Sequence, residues 1–297
     1  MALPSPTGGD AMRRDLIVTA DDFGVDIAVN EAVEQGYAHG ILTCASLMVA
    51  GRAATDAVAR ARRLPGLGVG LHLVLVDGRP VLPPDRVPDL VDASGRFHAN
   101  MAVAGARFFL SPCVRRQVAA EIGAQFAAFA ATGLTLDHVN AHKHFHLHPT
   151  IGALIVAIGR RYGLTAARAP IEPRDVIDAI EPTPHGLAER IATPWARASR
   201  ARMVRSGLVV PDQVFGLAWT GAMTAARVRA IIARLPAGLS ELYLHPATDD
   251  HYDGHAAGYR YRDELAALTD AGVAAEVRAQ GVRLGRFVDT VETRRAA

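Results

Sequence analysis

The chain has 297 residues, half of them hydrophobic and 21% charged, with 32 basic against 30 acidic side chains. That balance suits a protein with a large buried core and excludes a disordered chain, a collagen-like chain and a polybasic nucleic-acid binder. The length is about twice the usual domain but within what one α/β barrel occupies.

The first dozen residues are rich in Pro, Gly and Ser, and residues 1–14 are expected to be a flexible N-terminus. They lack the apolar core of a signal peptide, and no run of about 20 apolar residues follows, so a cytoplasmic protein is expected. Cys44 and Cys113 stand alone, which predicts buried thiols in a reducing compartment rather than a disulfide framework.

Residues 15–20 (DLIVTA) form a β-branched apolar run that predicts a buried strand ending at Asp21-Asp22-Phe23-Gly24. A helix is expected over 27–39, a strand over 42–49, an Ala/Arg helix over 53–64 and a strand over 68–75. Residues 77–107 are proline-rich with little periodicity and read as a long inserted loop, of the kind that usually carries function. An amphipathic helix over 114–132 is closed by Gly133, and a strand over 136–141 runs into a histidine cluster. Then come a helix over 150–162, a strand over 164–168, and an irregular, later Arg-rich stretch over 172–205. Strands over 214–219, 239–244 and 282–287 and helices over 224–235 and 261–270 complete the pattern. Seven or eight alternations of strand and helix predict an α/β fold, a distorted (β/α) barrel of parallel strands resembling a TIM barrel, with one domain over 15–290 and a flexible tail over 291–297. Polar clusters at the strand ends place the site at the C-terminal rim.

Five of the twelve histidines lie between His138 and His148. In an extended segment the spacing of two would put His142, His144 and His146 on one side, a pattern suited to a divalent metal. A catalytic zinc site uses about three protein ligands and keeps one position open, so some of these histidines must face substrate or support the ligands. Asp21-Asp22 could divide into a metal ligand and a base, or one could simply cap the next helix. His72, within an apolar run, could be a core histidine or a ligand. His245 ends a strand, where a structural role and a general-acid role both fit. Phosphate-loop, dinucleotide and serine-elbow motifs are absent from the sequence. A metal site beside a separate carboxylate base suits hydrolysis of an amide or ester, whereas adjacent carboxylates suit glycoside cleavage poorly, because its two acids flank the bond.

Thr19–Gly24 (TADDFG), Asn30, residues 40–43 (GILT), residues 70–73 (GLHL), the HxHxH of His142–His146 and Glu241 followed by His245-Pro246 together resemble the YdjC-type carbohydrate deacetylases, from about residue 16 to 287. The resemblance implies a distorted barrel and removal of the acetyl group from an N-acetylglucosamine-type sugar. It implies metal ligands Asp22, His72 and His142, a base at Asp21 and an acid at His245. Arg168 matches an arginine near the base, and Asn140, Lys143, His144 and His146 fall to supporting the ligands or binding substrate. The implied cofactor is one divalent ion, zinc first, with magnesium or another divalent ion compatible. Asn140-Ala141 stands where the family usually has Asp-Ser, and Ala247-Thr248 follows His-Pro where it usually has Gly. With residues 75–92 and 140–149, these departures resemble the branch associated with hopanoid biosynthesis. That implies a glycolipid substrate, an N-acetylglucosaminyl hopanoid, instead of a soluble chitooligosaccharide; a non-catalytic metal- or sugar-binding protein is the alternative outside enzymes. A lipid substrate would bring the protein to the inner membrane surface. Arg190, Arg197, Arg200, Arg202 and Arg205 around Trp195 and Met203, with an apolar wall from Phe97, Phe108 and Phe109, are the expected contacts. No nucleic-acid partner is expected, and a homo-oligomer is compatible.

Overall fold

A computed structural model describes residues 13–183 and 187–296. Among the described residues, seven strands form one parallel sheet: β1 (Arg14–Phe23), β2 (Cys44–Leu47), β3 (Gly68–Leu73), β4 (Val139–Ala141), β5 (Gln213–Phe215), β6 (Gly238–Leu244) and β7 (Arg283–Leu284). Their order is β4-β3-β2-β1-β6-β5, with β7 also paired to β1. The sheet curls, and single parallel bridges from Val139 to Ala167 and from Ala166 to Val209 carry it from β4 toward β5. The result is the distorted, TIM-like α/β barrel that the alternation predicts.

Helices cover the outside: α1 (Ile27–His39), α2 (Ala54–Arg63), α3 (Met101–Leu110), α4 (Pro112–Ala131), α5 (Pro149–Gly159), α6 (Arg174–Ile180), α7 (Leu187–Arg205), α8 (Ala225–Ala233), α9 (Tyr261–Thr269), α10 (Ala271–Ala279) and α11 (Phe287–Ala296). Local chemistry sets their ends. Asp26 caps α1 by accepting from the Ala28 amide, and Ser111 caps α4 ahead of Pro112 at its first position. The main core lies between sheet and helices, while a second cluster of Ile17, Cys44, Ala166, Val209, Leu239, Phe287 and Val291 closes the end of the barrel opposite the site.

Several expectations change. The inserted loop shortens, because Asn100 caps α3 at a point the proline-rich reading passed over. Residues 164–168 make isolated bridges instead of a strand, and the stretch over 172–205 contains α6 and α7. The last strand stops at Leu284, since Phe287 starts α11, and the expected tail is helical through Ala296. Residues 1–12 of the expected flexible N-terminus lie outside the described residues. Cys44 is buried as expected, but Cys113 is exposed. Phe97, Phe108 and Met203 are buried in the core and offer no surface to a lipid, whereas Phe109, Leu110 and Trp195 are exposed. The side chain of Arg190 lies outside the described residues. No helix among the described residues is long and apolar enough to cross a membrane.

Candidate active site

The site is built where β1 ends. Pairing of β1 with β2 slips between Ala20 and Phe23, so the strand carries an irregularity at Asp21-Asp22. Asp22 adopts a left-handed backbone with φ 63°, a conformation costly for a residue with a side chain and recurrent at functional sites. Its effect is to send two adjacent carboxylates in different directions. Asn30 secures the turn that follows, its Oδ1 accepting from the Gly24 amide at 2.8 Å and its Nδ2 donating to the Ala53 carbonyl.

Asp22 Oδ1 lies 3.2 Å from His72 Nε2 and 3.2 Å from His142 Nδ1. His72 comes from β3, and His142 directly follows β4. The three donor atoms lie within 4.8 Å of one another. His72 Nε2 is buried without an aligned hydrogen-bond partner. Its other nitrogen, Nδ1, is 2.7 Å from Asn140 Oδ1. Two donors on a tetrahedral cation with bonds of 2.0–2.2 Å lie roughly 3.3–3.6 Å apart, so the two separations of 3.2 Å are close to those of donors sharing a divalent ion. Burial alone would raise the Asp22 carboxyl, but His142 and His72 hold it well below the carboxylate range.

Asp21 turns inward and is buried. Arg168 meets it with two nitrogens, Nη1 to Oδ2 at 2.5 Å and Nη2 to Oδ1 at 3.0 Å, and Asn140 Nδ2 donates to Oδ1 at 3.0 Å. Burial would raise this carboxyl too, yet the Arg168 charge and then His72 keep it far below its ordinary range. Arg168, itself fully buried, also donates to Glu241 Oε1 at 2.7 Å, and Thr19 donates to the same oxygen at 2.8 Å. One guanidinium thus pairs with two buried carboxylates, and pairing is the condition under which such charges are tolerated. Its cationic carbon also lies 4.5 Å from the centre of the Tyr243 ring.

Glu241, Tyr243 and His245 recur at the strand period of two along β6 and its end. The His245 amide donates to Glu264, which also accepts from the Met223 amide; burial raises this carboxyl above its usual range. The His245 ring packs edge-on to Tyr243 and Tyr259, and its Nδ1 is buried without a hydrogen-bond partner.

The histidine run departs from its expected geometry. Residues 142–147 form a tight 3-10 stretch in which Lys143 and His144 have φ of 53° and 54°, so the alternation of an extended segment does not apply. His142 joins Asp22 and His72. His144 Nε2 instead meets the Tyr243 hydroxyl at 3.0 Å, and His146 is buried with neither ring nitrogen bonded. Burial and the Arg168 charge push His144 well below the usual histidine value, and the same causes with His72 push His146 down to about 3. Both rings are therefore neutral near pH 7. Lys143 is half exposed and pairs with Asp77, another left-handed residue, at the mouth of the site.

Residues 15–279 match the family described as YdjC-like protein. The chain belongs to that family. It is 32% identical over 277 residues to a carbohydrate deacetylase of Geobacillus stearothermophilus, covering 92% of this chain and 96% of that one. It is 28% identical over 282 residues to a chitooligosaccharide deacetylase of Salmonella paratyphi B, covering 94% of this chain and all of the relative. A solved structure of a candidate cellobiose-phosphate cleavage protein from Enterococcus faecalis shares the fold, with a TM-score of 0.72 at 21% identity over 94% of this chain and 99% of that one.

Motif reading named Glu241 without its pairing to Arg168, and it passed over Tyr243. Their signal was available in the alternation of β6, where a Glu inside an otherwise buried strand demands a cation.

Proposed function

We propose that this YdjC-like protein is a metal-dependent N-deacetylase that removes the acetyl group from an N-acetylglucosamine-type sugar, giving acetate and the free amino sugar. The observation that carries the reading is the convergence of Asp22, His72 and His142 beside an Asp21 held apart on Arg168. The activities named for its full-length relatives support the same chemistry. A divalent ion on those three residues, zinc being the natural fit for a carboxylate and two imidazoles, would acidify a water and polarise the acetamide carbonyl.

The protein's own groups do the rest. Asp21 Oδ2 has one arginine contact and keeps a lone pair to take the proton of the attacking water. Arg168 and Asn140 orient the carboxylate. His245, on the strand beside β1, gives a proton to the departing amine, so that a neutral amine leaves as the carbon–nitrogen bond breaks. His144 and Lys143 line the substrate side, whereas His146 is buried.

The substrate we favour is the N-acetylglucosaminyl headgroup of a hopanoid glycolipid, on the strength of the sequence departures at Asn140-Ala141 and Ala247-Thr248. The surface supports contact with a bilayer: Phe109 and Leu110 on α3 and Trp195 on α7 are exposed, and both helices touch the turn at His148-Pro149. Soluble chitooligosaccharides are the second reading, favoured by the name of one relative. Acetate release from the glycolipid and from a short chitooligosaccharide decides between them. Faster turnover of the glycolipid, with co-sedimentation on anionic vesicles that is lost at high salt and in Arg197→Gln/Arg202→Gln/Arg205→Gln, is expected. Equal turnover of both would refute a lipid-adapted site, and no acetate from either would refute the deacetylase.

A further inference from the structure

Beneath the proposed ligands, the inside of the barrel is polar where a barrel of this kind is usually filled with aliphatic side chains. Ser46, His138, Asn140 and Asp137 are all buried and joined end to end. Asn140 Nδ2 donates to Ser46 Oγ at 2.9 Å, Ser46 Oγ is 3.0 Å from His138 Nε2, and His138 Nδ1 is 2.9 Å from Asp137 Oδ2. We propose that Ser46, His138 and Asp137 form a one-way hydrogen-bond chain that clamps the Asn140 amide and so holds His72 as its Nδ1–H tautomer, with the Nε2 lone pair turned toward Asp22 and His142.

The direction of every bond follows from the two carboxylates at the ends. Asp21, ionised against Arg168, can only accept, so the Asn140 atom facing it is the amide nitrogen. Asn140 Oδ1 then faces His72 Nδ1, which must carry a hydrogen. The second amide hydrogen goes to Ser46, and the Ser46 hydroxyl sends its own hydrogen to His138 Nε2. His138 must therefore carry its hydrogen on Nδ1, and it donates to Asp137. Asp137 also accepts from the Val288 amide at 3.0 Å and from the Cys44 thiol at 3.5 Å. No link needs a group to donate and accept against its chemistry.

The strand beside this chain is shaped for it. A Cβ on Gly70 would stand 2.5 Å from the His138 ring, and one on Gly68 would stand 2.8 Å from Cys44 Sγ and 2.9 Å from Asp137 Oδ2. Both glycines lie on the face of β3 that continues to His72, and the register pairs Ser46 with Gly70 and His72 with Asn140. From below, Phe287 stacks on the His138 ring with 4.4 Å between centroids. Cys44, Asp137 and His138 also bring one donor atom each within 4.8 Å of one another. As a cation site, however, they would have to give up the thiol and Nδ1 hydrogens that the chain uses.

The inference rests on the metal reading above, and the parent protein separates the two. Failure of the parent to bind zinc refutes that reading and, with it, the role given to His72. With zinc bound, ring-nitrogen NMR of histidine-labelled protein should show both His72 and His138 protonated at Nδ1. Competition with a chromogenic chelator should show Ser46→Ala, Gly70→Ala and His138→Phe holding zinc 10–100-fold more weakly. His138→Gln, whose amide can accept from Ser46 and donate to Asp137, should recover most of that loss. If His138→Phe fails to fold, the small Ser46→Ala change carries the test. Zinc affinity of folded Ser46→Ala within twofold of the parent, or His138 protonated at Nε2, overturns the proposal. So does a second zinc per chain that disappears in Cys44→Ala.

Discussion

Replacing Arg168 with Met removes the cation that pairs with both Asp21 and Glu241 inside the barrel. All three side chains are essentially without solvent contact, so water cannot take over. Breaking a buried pair by deleting one partner costs about 3–5 kcal/mol, because a desolvated charge is left behind. Two carboxylates are exposed to that penalty here, so the upper end, about 5 kcal/mol, is expected near pH 8. The sign of the pH dependence is diagnostic. In the parent the folded Asp21 pKa is depressed, so its contribution is present at neutral pH and is lost only as pH falls below the ordinary carboxylate range. In the variant, burial acts on Asp21 unopposed by Arg168, and the folded carboxyl binds a proton more readily than the unfolded one. The deficit should therefore shrink as pH falls from 8 to 5. Urea unfolding of metal-free parent, Arg168→Met and Arg168→Met/Glu241→Leu at both pH values measures it. The double variant should regain part of the loss, since one of the stranded charges is gone. A deficit below about 1 kcal/mol, or one identical at pH 5 and 8, would refute the argument.

Elemental analysis should find about one divalent ion per chain in the parent and none in His72→Ala, while His144→Ala keeps its ion; full retention by His72→Ala would remove that residue from the ligands. Asp21→Asn and His245→Gln should each lower deacetylation by roughly 10²–10⁴-fold with metal content unchanged, and near-parental turnover in either would withdraw its assigned role. His146, with its folded pKa pushed down to about 3, gives the folded state fewer protons than the unfolded state between about pH 3 and 6.5. Stability should therefore fall by about 1.4 kcal/mol for each unit that pH drops across that window. The slope of stability against pH between 6 and 4 should thus be shallower in His146→Phe; an unchanged slope would place a protonated His146 in the fold.

Much of the secondary structure follows from local chemistry along the chain. Helix α1 spans the expected residues 27–39, and β1, β3, α8 and α9 lie within a few residues of their expected positions. Periodicity, caps and turn residues act over one or two turns of chain, and so they are readable without neighbours. The nearness of Asp22 to His72 and His142 was anticipated through motif likeness, and the adjacent aspartates face different partners. The conformation of the histidine run was not local. Lys143 and His144 take left-handed backbones that no spacing rule anticipates, and the run breaks into a tight turn where it joins α5. Burial of Phe97, Phe108 and Met203 likewise depended on which surfaces the neighbouring helices cover. Arg168 gained its meaning only in three dimensions: its partners lie 147 residues before it and 73 after it, brought together by the parallel register of β1 and β6. The glycines of β3 look conformational in the sequence, but the barrel uses them as space for the His138 ring and the Asp137 carboxylate. Tertiary structure decided these points because barrel closure, not chain proximity, sets which side chains share the interior.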